Sequence, residues 1–565
     1  MDSEKRVLAA FILSFLILIL WRVVFFKQPP LPPKAAAAGP VSSAGRPLPA
    51  SAKTAPLQPA APIALPVQQG TRARDLTVES NLYRVTFSTQ GAVVKSWILR
   101  KYKDENGKPL DVVNRAACAQ LGDPMSVRVA DSALAQQLNQ ALYVAHPTPS
   151  VLQAPVTVRF IYSNGKVEVR KQFSFGAGYQ VQVKVSVFDG RKDLPVEVAW
   201  PGGVGDHSVP EAIEAATSEA VFEAGGNLKT VALSKLSKGQ TASPPLSFAG
   251  LEDRYFAGIF FPGSSHQSFR YFRRPWTPAG WTGKKRPNAL VGVWGSPQSQ
   301  PLDFRLFVAP KQFDLLQTTH PPLDGLVDFG WFGVIAKPLF LAMRYIYHHW
   351  VHNYGWAIVI LTVLINMLLF PLKLKAIRSA QEMQRIMPHM KAIQDRYKQY
   401  KFNDPRKQRM NQEVMKLYQE HHINPLGGCL PMALQLPILY GFYETLETPI
   451  ELRRAPWILW IKDLSMPDPS RMLGLPIPIL PTIMIVSMFA MTKMTPMATT
   501  DPNQKRMMML MPLVFGLMFY RFASGLVLYF LAANLVGIAQ QLFINRFITP
   551  KQPPLGAPKA VVEKA

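Results

Sequence analysis

The chain has 565 residues, 48% of them hydrophobic, and a formal net charge of +26. That length holds several domains, and the apolar share suits a protein that is part membrane and part soluble. Specific nucleic acid recognition is excluded as the main role. The charge is spread out, with 29 Lys+Arg against 22 Asp+Glu between Arg72 and Asp328, and no recognition motif accompanies it.

Val7 to Phe26 is apolar apart from Arg22. A cleaved signal has a shorter core, about 7–15 residues, with a small-residue site close behind, so residues 1–27 read as an uncleaved transmembrane anchor. Residues 28–70 are rich in Pro and Ala and read as an extended linker. Residues 71–328 read as β. Tyr83, Val85 and Phe87 alternate with polar residues. Val156, Val158, Phe160 and Tyr162 lead into Asn164-Gly165, and Val167, Val169 and Phe173 follow. Alternation around Asn-Gly is the strongest short hairpin signal. Many strands with turn signals predict a large antiparallel β-sandwich. The Gly202-Gly203-Val204-Gly205 run lacks a strand–helix setting and reads as a loop. Gly283-Lys284-Lys285 lacks the rest of a phosphate loop.

Trp331 to Trp350 mixes aromatics with Lys337 and Arg344, which predicts a helix lying at a membrane surface. Adjacent histidines such as His348 and His349 diverge on a helix, so no metal is expected there, and His421-His422 reads as a solvated hairpin end. The bundle spans are placed at Trp356–Leu372, Leu426–Leu446, Leu475–Met491, Met507–Phe522 and Leu526–Phe543, with Ser524-Gly525 as the turn between the last two. With the anchor this makes six spans. Between spans, 373–425 is the most basic loop, with 12 Lys+Arg against 5 Asp+Glu. It carries Met383, Ile386, Met387, Met390, Ile393 and Tyr397 at helical spacing, then Met410, Val414, Leu417 and Tyr418. This predicts a helical hairpin, kinked at Pro388. Alternate loops are basic, so both termini and this hairpin are placed in the cytoplasm and the β domain outside the inner membrane. Cys118 and Cys429 then lie in different compartments and cannot pair.

Three stretches in the bundle carry a resemblance: Asn424-Pro-Leu-Gly-Gly-Cys429-Leu-Pro431 with Gln435-Leu-Pro437; Glu451-Leu-Arg-Arg-Ala-Pro456 with Trp460-Ile-Lys-Asp463; and Ser524-Gly-Leu-Val-Leu-Tyr529-Phe with Asn534. With Thr500-Asp501-Pro502, they resemble the YidC-type membrane protein insertases, relatives of the mitochondrial oxidase-assembly insertases. The anchor, linker and β domain match the Gram-negative form in layout. The resemblance implies a five-helix insertase core over 329–548 and a cytoplasmic tail at 549–565. It implies a hydrophilic groove open to cytoplasm and lipid, and a supersandwich of the sugar-mutarotase type without an established catalytic role. The implied partners are nascent membrane proteins, the secretion translocon and membrane lipids. The tail is short and mildly basic, which argues against strong ribosome docking.

The residues themselves agree with a non-enzymatic bundle that needs no cofactor. The spans hold two charges, Glu444 and Arg521, both near external ends, where a proton-coupled transporter would carry carboxylates or His at mid-depth and a protease a nucleophile–base pair. Thr362, Asn366, Gln435, Ser487, Asn534 and Gln540 are neutral polar groups distributed over four spans. They read as a groove lining, against the plainer reading of interhelical glue. Met488, Met491 and Met518, with Tyr529 and Phe530, read as an adaptable client-facing slide, against core filling and interfacial anchoring. The family usually has a groove arginine at the position of Asn366. Lys373 or Lys375 could reach back by snorkelling, but each lies two or more turns away, so hydration is expected to matter at this site and charge to be secondary. A small-solute or lipid transporter and a passive assembly chaperone are the rival readings.

Overall fold

The β region is a three-sheet sandwich. The computed structural model describes residues 64–548 except 210–213, 215, 237–238, 279–280, 282–285, 401–403, 422–429, 471–476 and 496–501. The anchor, most of the linker, the tail and the Asn424–Cys429 motif therefore lie outside the described residues. The central sheet has nine strands. It runs from Asn227–Ala232 at one edge, through Leu302–Pro310 and Gln180–Phe188 in the middle, to Val144–His146 at the other. Two five-stranded sheets lie against it, one containing Tyr83–Ser88 and the other Asn288–Gly295. Ring contacts tie the layers together: Phe87 meets Phe173 at 4.8 Å, and Phe260 stacks on Trp294 at 5.8 Å. Alternation drives this arrangement. Val181, Val183, Val185 and Val187 are buried while Gln182, Lys184 and Ser186 are not. The Asn164-Gly165 hairpin forms, pairing Val156–Ser163 with Glu168–Phe175, and Gly165 takes the positive φ the turn requires. One pair departs from the antiparallel expectation: Thr77–Glu79 runs parallel to Val151–Gln153. Gly202, Gly203 and Gly205 have positive φ and form a loop.

Three short helices, α1 (Arg115–Leu121), α2 (Ser132–Gln140) and α3 (Phe313–Gln317), decorate the sheets. The helical region begins with α4 (Gly333–Ile346). Ala336, Phe340 and Met343 face inward, while Val334, Leu341 and Tyr345 are exposed. A π-turn at Tyr347–Val351 and a left-handed His352 bend the chain by 115° into α5 (Tyr354–Leu368). The predicted span to Leu372 is thus corrected. The helix stops at Leu368, and α6 (Phe370–Arg396) starts afresh with Pro371 in its first turn, where a missing N–H costs nothing. Helix α6 and α7 (Pro405–Glu420) form the hairpin around Met383, Ile386, Met390 and Leu417, with Asp404 capping α7.

Helices α8 (Leu430–Glu447), α9 (Ile479–Met494), α10 (Pro502–Phe519) and α11 (Ser524–Phe543) complete the bundle. Ser524-Gly525 is not a turn. It is the first turn of α11, and the chain reverses at 520–523. The glycine is needed for close approach, since a Cβ there would lie 3.1 Å from the Leu464 carbonyl oxygen. Among the described residues, Ser524–Ile548 alone is long and apolar enough to cross a membrane, and the bent pair Gly333–Val351 plus Tyr354–Leu368 qualifies together. Ile479–Met494 and Arg506–Phe519 are shorter apolar helices.

Candidate functional site

The α5 helix is fixed at its N-terminal end and polar toward its C-terminal end. Asn353 caps it by accepting from the Trp356 amide, and its own amide donates to the carbonyls of Pro456 and Trp457 in the loop between α8 and α9. Two turns deeper, Thr362 donates to the Ile358 carbonyl, and one turn on, Asn366 donates to the Thr362 carbonyl, each at 2.7 Å. From α11, Gln540 Nε2 donates to the Asn366 carbonyl at 3.0 Å. Both Thr362 and Asn366 are buried, at 0% and 5% exposure, as are Ser487 and Gln540.

One contact brings a charge to this amide. Lys373 Nζ donates to Asn366 Oδ1 at 2.5 Å. On a continuous helix those residues are about 10 Å apart along the axis. The restart at Phe370 and the tilt of helical side chains toward the N-terminus close that gap. Residue 373 also stands seven places on, so it returns to the same face as 366.

The other predicted groove residues form two separate pairs. Asn534 Nδ2 donates to Ser487 Oγ at 3.0 Å, joining α11 to α9, and Ser487 donates on to the Met484 carbonyl. Gln435 Nε2 donates to Tyr529 Oη at 3.2 Å, joining α8 to α11. Asn534 and Gln435 are half-buried. Helix α11 is thus common to all three polar contacts, through Tyr529, Asn534 and Gln540. Of the predicted slide residues, Met518 is exposed and Met488, Met491 and Phe530 are half-buried. Tyr529 is buried, stacked on Phe442 at 4.3 Å. Two side-chain oxygens on α11, those of Gln540 and Gln541, are buried without a partner.

Three features go beyond the sequence reading. The seating of Lys373 on Asn366, which that reading left to snorkelling over two or more turns, is one. Thr445 is another: it is fully buried and donates to the Ala336 carbonyl, pinning α8 to α4. The third is the loop between α8 and α9. Ser524 and Gly525 donate their amides to the Met466 and Leu464 carbonyls, so this loop satisfies the start of α11 as well as α5. Its other side grips the β domain. Arg453 pairs with Asp206, with Glu105 3.9 Å away, and its guanidinium lies over the rings of Tyr255 and Phe256. Glu451 accepts from the Phe313 amide, Arg454 donates to the Asp104 carbonyl, and Arg344 of α4 pairs with Asp314. The Glu451-Leu-Arg-Arg motif was visible in sequence, but its partner lies 247 residues earlier.

Titratable groups in the β domain are perturbed by burial. Lys171 is 1% exposed and donates to the carbonyls of Gly91, Ala92 and Met125; burial pushes its ammonium down to about 7. Burial pushes Glu252 up to about 7, against the pull of Lys311 at 3.0 Å. Burial also opposes the charged His207, but the hydrogen bond and charge of Glu214 outweigh it and the imidazole is raised. No group of three or more His, Cys, Asp or Glu suited to a metal occurs among the described residues.

Comparison with known proteins covers nearly the whole chain. A family model described as 60Kd inner membrane protein matches residues 346–552, and one described as YidC periplasmic domain matches 75–342. A membrane protein insertase YidC of Syntrophus aciditrophicus is 32% identical over 96% of this chain and 99% of its own length. Its counterpart in Pelobacter propionicus is 34% identical with the same coverage. A crystal structure of a YidC insertase with its first transmembrane domain resolved covers 84% of this chain and 94% of its own, at 18% identity and a TM-score of 0.35.

Proposed function

We propose, from the premise that this chain belongs to the YidC family of membrane protein insertases, that it moves nascent membrane proteins from the cytoplasm into the inner membrane. In this reading the polar residues of α5, α8, α9 and α11 border a hydrophilic path. The observation that carries it is the placement of Asn366, Gln540, Asn534, Ser487, Gln435 and Tyr529 in interhelical contacts along one helix, α11, with no carboxylate among them. Such neutral groups can exchange partners with a passing polar segment at small cost. The driving force is the client's own apolar span, each Leu, Ile or Phe contributing a few tenths of a kcal/mol at the bilayer centre. The polar path shortens the dry distance that the client's flank must cross.

The same reading has six spans with both termini cytoplasmic, the β domain periplasmic, and the hairpin α6–α7 facing arriving clients. It has the chain acting alone on short clients and beside the secretion translocon on larger ones. The test is crosslinking from positions 366 and 529 to a nascent span on a stalled ribosome. Crosslinks formed before the client reaches lipid support insertion. A transporter gives none, and a passive chaperone gives them only after the client is already in lipid.

A further inference from the structure

Residues 273–288 connect two strands of one five-stranded sheet, Ser268–Pro275 and Asn288–Gly295, and hold five Lys+Arg, two Trp and no Asp or Glu. Arg273, Arg274 and Arg286 are exposed. Among the described residues none of the three has a carboxylate partner, and Glu197, two strands from Arg274, is taken by Arg270. The described part of this connection is held in place. Arg274 lies over the Phe272 ring at 5.0 Å, and Arg128 over the same ring at 5.8 Å. The Trp276 amide donates to the Pro287 carbonyl at 3.0 Å, and Gln120 of α1 exchanges two hydrogen bonds with the Thr277 backbone, at 2.6 and 3.1 Å. Guanidiniums and rings fixed beforehand lose little freedom on binding.

Register places these arginines at the end of the β domain that meets the bundle. Pro201 lies opposite Val291, and the Gly203 amide donates to the Leu290 carbonyl, so the loop that begins at Gly202 leaves the sheet at the same end as Asn288 and Pro275. That loop carries Asp206, which pairs with Arg453 of the bundle. Ser268–Pro275 stands two strands, about 10 Å, from it. Tryptophan is favoured where headgroups meet the apolar core of a bilayer, and Lys and Arg where the lipids are anionic. An acidic protein would satisfy the charge alone; the position and the half-buried Trp276 favour lipid. We propose that Arg273, Arg274, Trp276 and Arg286 form a docking surface for anionic lipid headgroups, which holds the β domain down on the membrane beside the bundle. The proposal rests on the insertase reading, which puts the bundle in the bilayer, and adds a lipid partner for the β domain.

The test uses the full-length protein in nanodiscs of phosphatidylcholine, alone or mixed with phosphatidylglycerol. A fluorophore is attached at Pro278→Cys in a Cys429→Ser background, Cys118 being buried, and its quenching by a headgroup-labelled lipid is read. Phosphatidylglycerol should raise the quenching, and high salt should reverse it, since exposed charges are screened. One basic side chain near an anionic surface favours docking about fivefold, so Arg273→Gln, Arg274→Gln and Arg286→Gln together should lower the docked-to-free ratio roughly a hundredfold. The three Arg→Lys replacements should keep docking, and the glutamine variant should keep the unfolding midpoint, because all three side chains are exposed. Quenching that is equal in both lipids, or unchanged in the glutamine variant, overturns the proposal and leaves the face to an acidic protein. Insertion of a single-span client into vesicles of the same lipids separates the two readings. A protein that docks but inserts nothing overturns the insertase reading and leaves the lipid contact standing. One that inserts but ignores lipid charge at position 278 overturns the lipid proposal alone.

Discussion

Replacing Arg453→Met tests the joint between the α8–α9 loop and the β domain. The Arg453 side chain is 5% exposed and its partner Asp206 4%, so neither charge has water to fall back on. Removing the cation leaves Asp206 buried and unpaired, which costs about 3–5 kcal/mol. The guanidinium also covers the rings of Tyr255 and Phe256, at 5.6 and 5.5 Å, adding roughly 0.5–1 kcal/mol for each lost contact. For a protein of this size the sum lowers the unfolding midpoint by about 3–6 °C. Adding Asp206→Asn should recover most of that loss, because the amide carries no charge and can still accept from Ser208, as Asp206 does now. The measurement is thermal unfolding of the detergent-solubilised chain for both single variants, the double variant and the unaltered protein. If Arg453→Met alone leaves the midpoint within 1 °C, or if the double variant is no better than the single, the pair does not hold the joint and the reasoning fails.

Four further outcomes are expected. Lys171 titrates lower in the folded state, near 7, than its ordinary 10.5, so the unfolded chain binds more protons between those values and stability rises with pH across that window; denaturant unfolding of Lys171→Met should lose that rise. Glu252 has the opposite sign: its folded value near 7 lies above the ordinary 4.5, so its contribution is present below 4.5 and lost as pH rises to 7, a loss that Glu252→Gln should abolish. Gly355→Ala would place a methyl 2.2 Å from the Trp457 ring, so it should displace the α8–α9 loop at a cost of about 1–3 kcal/mol, read as a lower midpoint and faster protease cleavage there. Ile386→Ala, at the centre of the hairpin's small core, should cost about 2–5 kcal/mol locally and raise amide exchange in α6 and α7 with little change in the β domain.

Local patterns were legible and long-range pairings were not. The Asn164-Gly165 hairpin and the alternating strand before Phe188 could be read directly, because each is set by residues a few places apart. The neighbour of Gln180–Phe188 on its other side is Leu302–Pro310, and nothing in either stretch announces that partner. In the bundle, helix existence followed from apolar runs, but two boundaries did not. Leu369-Phe370-Pro371 is apolar throughout, and the helix restart was signalled only by Pro371. Gly525 read as a turn residue, whereas its smallness serves packing against Leu464. The candidate site was half legible: the six neutral polar residues and Lys373 were named, but the reach of Lys373 was discounted by measuring along an unbroken helix. Burial was not legible, because a polar residue on an apolar helix looks the same whether it faces water or a neighbour's carbonyl.

Under the proposed topology, the Arg453–Asp206 contact also implies an order of assembly. Asp206 and Glu105 are synthesised long before Arg453, and the strands around them end at Pro310. Domains fold as units once their chain is complete. In the proposed topology the β domain then reaches the far side of the membrane with Asp206 and Glu105 still lacking Arg453. That acidic notch fills only when α8 has crossed and its loop has followed. Docking of Arg453 then marks completion of the first half of the bundle, and the amides of Ser524 and Gly525 find their acceptors on a loop already held in place.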